Sequence, residues 1–502
     1  MLVRLPLDQL ADALRRGGVG SEDHLRFLLQ ELEKIRSPKI DAPKLDREHL
    51  REFLGRTNSL SSSDWDQSLE SSVWSGVSMD SEGRVDGLDF TYGNLSGELP
   101  AALGMMSHLR YLHASSNKFV GSIPETIGGL VCLTSLWLDH NKLSGRLPGS
   151  LTRLASLTSI NLAWNQMAGT IPTKIGTMTA LRQLSLGNNK LNGTLPTELG
   201  LLHCLQELRL RENKLTGKIP PLLGNMRALT ELDLTSNNLQ GHIPESLGGL
   251  VALRELWLGG NQLVGPLPAS LTKLTALESL DLSSNKLTGK LTDRLSGCLS
   301  SLLYLDLSRN FFQGNLPLAA FLPVSSSREL TAPPLSTPRG SDAASGYGTA
   351  ESRAEKSAIT YINLSLNHLT GSIPAAIGLL TALDTLNLSH NHLEGEIPCS
   401  IAGCVSLRVL SLSRCSLSGS LCSPTAEGEA EGGGESGGRE RGLELGRLTA
   451  LESLRLDGNV FEGPVPNALG ELIRLEVLHL QVSVSSFAFA WTVGLESVWE
   501  GE

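Results

Sequence analysis

The sequence predicts an α/β solenoid: about fourteen turns of 24 residues stacked on one another, with a parallel sheet on the concave face. Three observations lead there. One spacing of apolar and polar residues recurs along most of the 502-residue chain, glycine and proline fall at set points within it, and Leu is abundant while aromatics make up only 4%. The 52 glycines and 23 prolines show no collagen triplet, so their number belongs to the longer repeat.

The frame is clearest around Asn141, with Leu136 and Leu138 before it, Leu143 just after, then Gly145 and Pro148. Taking Asn141 as a zero mark, the same frame runs every 24 residues from Gly93 to Asn285 and resumes at Asn310, Asn367, Asn391, Cys415 and Asn459. Gly stands four residues after the mark in all fourteen turns, and Pro stands seven after it in twelve, Thr292 and Cys422 being the exceptions.

Each position has a physical reason. The LxLxxN segment sends alternate Leu side chains inward from a short strand, and strands of neighbouring turns pair in parallel. An inward Asn amide both donates to and accepts from the backbone of adjacent turns, so a column of them satisfies groups that water does not reach; Cys415 substitutes one weak donor. Gly admits a backbone conformation closed to other residues, and Pro removes a donor where the chain is extended and unpaired. A single turn buries nothing by itself, so stability comes from stacking, and fourteen strands spaced about 4.8 Å apart span roughly 65 Å.

The stretch LTSLWLDHNKLSGRLPGSLTRL, residues 133–154, resembles the plant-type class of leucine-rich repeat, LxxLxxLxLxxNxLxGxIPxxLGxL. The resemblance covers about residues 85–480 and is similar to the repeat regions of receptor-like proteins and kinases and of polygalacturonase-inhibitor-like proteins. It implies a twisted superhelix, a second short sheet near the xLxGxIP part, and a role in binding other molecules. In the family's N-terminal cap, C-x-W-x-G-V-x-C carries a disulfide; here neither Cys slot holds a cysteine, the first falling on Ser72 and the second on Met79, next to Ser78. The cap is therefore expected to be held by packing alone.

The chain divides into a helical N-terminal extension over 1–45, the cap over 46–84, a first stretch of array over 85–317, a disordered insertion over 318–355, a second stretch over 356–422, an acidic Gly-rich insertion over 423–443, the final turns over 444–480 and an irregular tail over 481–502. In the extension, Leu25, Leu28, Leu29, Leu32 and Ile35 form an amphipathic stripe after Ser21, suited to folding against the cap or to binding something else. In the cap, Asp46 reads as an N-cap, with Leu50, Phe53 and Leu54 on one helical face and Trp65 following, while Trp74 shields the end of the Leu core. The insertions are polar and rich in Gly and Ser, which reads as disorder or as retained intron sequence.

Catalytic signatures do not hold up. GGGESG and GESGG match phosphate-loop and nucleophile-elbow patterns, but both lie in the acidic insertion with no strand before them. His368 and His392 share a slot on adjacent turns, close enough for a zinc ion, yet Lys118, Lys142 and Lys190 occupy that slot elsewhere and mark it as a solvated edge. No metal or cofactor is expected. The net charge of −10 and the lack of a basic cluster argue against nucleic acid and anionic membranes as partners.

What remains is the outer face of the sheet, assigned to positions four, two and one before the mark. Most are small or polar, such as Ser115, Ala163, Gly187 and Thr235. Against them stand His113, Trp137, His140 and Trp164, then Arg209 and Arg211 among acidic neighbours, then Trp257 beside Arg254. Exposed aromatics on a rigid sheet are costly unless covered, so these seven (His113, Trp137, His140, Trp164, Arg209, Arg211, Trp257) are the expected contacts for a protein or peptide ligand. The expected function is non-enzymatic recognition; the alternative is the ligand-binding part of a larger receptor-like kinase or GTPase. Cytoplasmic placement is expected from the missing cap cysteines, the odd total of seven Cys, Asp8 and Asp12 interrupting any leader, and the absence of an apolar run of membrane length. The sequons at Asn94, Asn192, Asn363 and Asn387 read as weak signals, because the repeat itself tends to write LNLS.

Overall fold

The computed structural model describes residues 46, 48–50, 52–53, 76–291, 301–316, 359–421, 445–463 and 465–480. The extension, Trp65, Trp74, Leu54, both insertions and the tail lie outside the described residues.

Three-residue strands, one per turn, build a sixteen-stranded sheet running from Val77–Met79 to Val477–His479. The first pair is antiparallel, and every later pair is parallel and in register, as where Leu136 lies opposite Ile160. The sheet continues across both insertions: Tyr304–Asp306 pairs with Tyr361–Asn363, and Val409–Ser411 with Ser453–Arg455. A ten-stranded sheet and a two-stranded sheet, Ser96–Glu98 on Lys118–Val120, follow along one flank, as the resemblance implied.

The convex side carries short 3-10 helices, typically five residues long. The five-residue ones each begin after an extended proline, as at Thr197–Leu201 behind Pro196 (φ −67°, ψ 136°). Five residues leave an α-helix almost no internal hydrogen bonds, so the tighter helix is the better closure. Between the layers lies one continuous apolar core, in which Leu136, Leu138, Leu143 and Leu154 are fully buried.

The Asn column runs through this core. The Asn213 Nδ2 donates to the carbonyls of Leu186 (3.0 Å), Leu210 (3.1 Å) and Arg211 (3.2 Å), and its Oδ1 accepts from the Leu191 N–H at 2.9 Å. Asn141, Asn165 and Asn237 repeat the pattern. At Cys415 the rung weakens to Sγ donations of 3.5 Å to Leu388 O and 3.7 Å to Ser413 O.

Two left-handed residues bend each turn. The glycine four after the mark is one; at Gly217 (φ 78°) a Cβ would stand 2.8 Å from Thr194 Cγ2. The other is the residue just before the mark, including His140 (φ 52°), Trp164 (φ 54°) and Glu212 (φ 53°). That placement refines the sequence assignment: strand alternation turns the residues six and four before the mark outward, as in Ser135 and Trp137, while the exposed residue one before the mark stands on the bend that follows the strand.

The cap is not held by packing alone. Phe53 stacks on Phe90 at 5.7 Å, but the Ser78 hydroxyl also donates to Asp86 Oδ1 (2.6 Å) and accepts from the Tyr111 hydroxyl (2.9 Å). Asp46, expected as an N-cap, is itself helical and buried, and its Oδ2 accepts from the Val85 N–H at 3.2 Å. Burial raises its carboxyl above the usual range. The cap hairpin closes on Asp80, whose Oδ2 accepts from Arg84 Nε at 2.7 Å and whose pKa that bond lowers to about 2.

Replacing Asn213 with Ala strands the buried Leu191 N–H. The expected result is a loss of about 2–3 kcal/mol in urea unfolding and faster hydrogen exchange at Leu191, with Asn213→Cys losing less.

Candidate functional site

The concave face is built by the alternation of its strands: in Ser135–Trp137 the middle Leu136 points into the core, and Ser135 and Trp137 point outward. Columns of outward residues therefore rise along the sheet, each residue beside its counterpart one turn away.

Aromatic pairs form within these columns and along the bend beside them. His113 stacks on Trp137 with ring centroids 4.1 Å apart and planes 13° apart, and His140 stacks on Trp164 at 5.4 Å and 18°. Trp137 remains 38% exposed and Trp164 46%, so their partners cover only one face of each indole. The His113 Nε2 lies 2.8 Å from Ser135 Oγ, and the His140 Nδ1 lies 2.9 Å from Asp139 Oδ2. Burial lowers the His113 pKa, outweighing the pull of Asp89 and Asp139.

A hydrogen-bond relay crosses five turns. Trp137 Nε1 donates to Ser159 Oγ (2.9 Å), Ser159 donates to Gln183 Oε1 (2.8 Å), and Gln183 Nε2 donates to Glu207 Oε2 (2.8 Å). Arg209 also donates to Glu207 Oε2 at 2.7 Å and closes a two-pronged pair with Glu231. Pairing raises the Arg209 pKa; burial pushes the Glu231 carboxyl up while the Arg209 fork opposes it. Arg209 is thus committed to its neighbours, whereas Arg211 is exposed and makes one long contact, 3.3 Å from its Nε to Asn188 Oδ1.

His140, Trp164, Arg209 and Arg211 come together around a depression of about 240 Å³ floored by Ala163, Ser185 and Gly187, with Asp139 and Asp233 at its margin. A second void, about 10 Å³ among Leu147, Leu151 and Ile175, is a packing gap in the core. His113 and Trp137 adjoin the depression through the relay. Trp257 stands apart, donating from Nε1 to Glu255 Oε2 at 3.0 Å and packing on Tyr304, which stacks on Tyr361 at 4.4 Å and 7°.

Sequence reasoning missed that last stack and the relay members Ser159 and Gln183. Tyr304 and Tyr361 are 57 positions apart, yet each stands six before its mark, at Asn310 and Asn367; the frame itself was the signal. His368 and His392 stack face to face at 5.7 Å and 6°, an arrangement that does not converge their nitrogens, and the described residues contain no group of three metal ligands.

Family models for the leucine-rich repeat match residues 108–130, 132–154, 180–202, 204–226, 276–298, 382–404 and 406–426, and a second model of that repeat matches 219–263. No curated protein matches the chain. Among solved structures, the plant peptide hormone receptor RGFR1 in complex with RGF2 is 28% identical (TM-score 0.62), covering 77% of this chain and 57% of the other. A TDR receptor is 26% identical (TM-score 0.65; 78% and 63% covered). The ectodomain of the membrane receptor kinase GASSHO1/SCHENGEN3 from Arabidopsis thaliana, in complex with CASPARIAN STRIP INTEGRITY FACTOR 2, is 33% identical (TM-score 0.59; 77% and 43% covered).

The chain is a plant-type leucine-rich-repeat protein.

The repeat protein spans about half the length of these relatives. They are receptors, one of them solved as the ectodomain of a membrane receptor kinase, which overturns the expected cytoplasmic placement and points to the cell surface or to secretion. That expectation leaned on the missing cap disulfide. The Ser78, Asp46 and Phe53 contacts show another way of closing the cap, so the missing cap cysteines do not report a reducing compartment. Among the described residues no helix is long and apolar enough to cross a membrane.

The lowered His113 pKa carries a sign. A folded-state pKa below the ordinary value of about 6.5 means the unfolded chain takes up the proton first, so acidification through and below that value weakens the fold. Between about pH 7.5 and about pH 5 the melting temperature of the wild type is expected to fall more than that of His113→Gln.

Proposed function

We propose that this repeat protein is a non-enzymatic recognition scaffold whose concave face holds an extended peptide, in signalling or defence-type recognition. The observation that carries the reading is the pair of half-exposed indoles, Trp137 and Trp164, standing beside a small-residue floor. Rigid aromatics exposed next to a concave surface are typical interface anchors. The relay fixes Trp137 before any ligand arrives, which reduces the ordering cost of binding.

The dimensions suit a peptide. The depression spans five turns, from Asp139 to Asp233, or roughly 20 Å at strand spacing, which accommodates about six extended residues. Its lining carries both signs of charge: the exposed Arg211 guanidinium, and the Asp139 carboxylate already held by Ser115 and His140. Two of the similar ectodomains were solved with a peptide hormone or integrity factor bound, which supports the same class of ligand here.

A second reading makes this array the ligand-binding part of a larger receptor kinase; the likeness to GASSHO1/SCHENGEN3 favours it, and an in-frame kinase in the full-length transcript would decide for it.

Peptides selected from a displayed library on the immobilised wild-type protein are the probe. Replacing Trp137 and Trp164 with Ser is expected to weaken their binding roughly 30-fold or more. The melting temperature is expected to hold, because serine already fills the bend slot of Trp164 in other turns, at Ser116, Ser236 and Ser284. Loss of binding only in step with loss of stability would sink the proposal.

A further inference from the structure

The four sequons occupy two different environments. Asn94 and Asn192 lie on the flank of the solenoid next to the second sheet, one and three residues after their marks. Both are exposed, and neither side chain makes a hydrogen bond among the described residues. Asn94 holds a left-handed backbone (φ 52°), while the neighbouring Leu95 is buried and anchors the chain. Asn192 sits on the strand Lys190–Thr194, on the side opposite the buried Leu191.

Asn363 and Asn387 lie on the concave sheet, four before their marks, half-buried and paired in register with each other. The Asn363 Nδ2 donates to Asp306 Oδ2 at 3.0 Å, and its Oδ1 accepts from the Ser365 N–H (3.2 Å) and hydroxyl (2.8 Å). The Asn387 Oδ1 accepts likewise from Ser389, at 3.1 and 2.7 Å. In both, the hydroxyl that makes the sequon is already bound to the asparagine it would serve.

We propose that Asn94 and Asn192 carry N-linked oligosaccharides and that Asn363 and Asn387 do not. The inference rests on the cell-surface or secreted placement and is independent of any peptide ligand. The co-reactant is a lipid pyrophosphate-linked oligosaccharide. Its sugar C1–O bond to the pyrophosphate breaks, a C1–Nδ2 bond forms, the lipid pyrophosphate leaves with the bonding pair, and one Nδ2 proton is lost to a base. The amide keeps one N–H, which suits an exposed side chain with nothing to give up. At Asn363 the same substitution competes with the bond to Asp306. Sugars at Asn94 and Asn192 would stand on one flank and leave the concave columns bare.

The full chain, produced through the secretory pathway of plant cells, is treated with peptide N-glycosidase in heavy-oxygen water and mapped by peptide mass spectrometry. Heavy aspartate is expected at positions 94 and 192, with unlabelled asparagine at 363 and 387. Asn94→Gln and Asn192→Gln should each remove one glycan, and the double variant should run identically with and without the enzyme. An unlabelled position 94 or 192, or label at 363 or 387, overturns the proposal.

Discussion

The asparagine amide at the bend of twelve of the fourteen turns is the interaction on which the rest of the structure depends. Leu stacking supplies the driving force, but apolar contact is non-directional and would tolerate strands slipping past one another. The amide tolerates no slip. Asn213 reaches a carbonyl 27 residues back and an N–H 22 residues back, so it ties its own bend to two points of the preceding turn. The first mark, Gly93, has no amide to offer and no earlier 24-residue turn to bind; Asn117 serves it instead, donating to Phe90 O and accepting from the Leu95 N–H. Left unpaired in the core, such groups would each carry a desolvation penalty.

With register settled from inside, the outer face is released from structural duty, and its residues organise among themselves. Trp137, Ser159, Gln183, Glu207 and Arg209 connect turns that are already fixed by their backbones. The relay positions rather than folds. It also changes how the charges on the face are understood: Arg209 is occupied by Glu207 and Glu231, leaving Arg211 as the cation open to a ligand.

The repeat frame was legible because each position answers to one local requirement. Gly145, Pro148 and Asn141 are dictated by backbone geometry and buried hydrogen bonds, and these recur wherever the turn recurs. Less legible was anything created between turns. Ser78 looks idle beside an empty cysteine slot until Asp86 and Tyr111 are seen on either side of it, and Tyr304 looks solitary until Tyr361 is brought beside it from the far end of an insertion. Compartment is illegible for a related reason: a missing disulfide speaks of redox conditions only where a cap has no other contacts to close on, and this one has Ser78 and Asp46. The outward column six before the mark is hidden likewise, because alternation holds only over the three residues of the strand.

That bend residue has a consequence for what the protein is able to recognise. Twelve turns place a side chain there at φ between 51° and 58°, among them His140, Trp164, Asn188, Glu212 and Leu366, and two place glycine. No Val, Ile or Thr appears, since branching at Cβ is poorly tolerated in that conformation. The edge of the recognition face is therefore written in a restricted alphabet. Any apolar grip offered along it comes from flat rings or a γ-branched chain, so change there substitutes one aromatic, polar or flexible residue for another, and compact branched contacts must be supplied by the ligand.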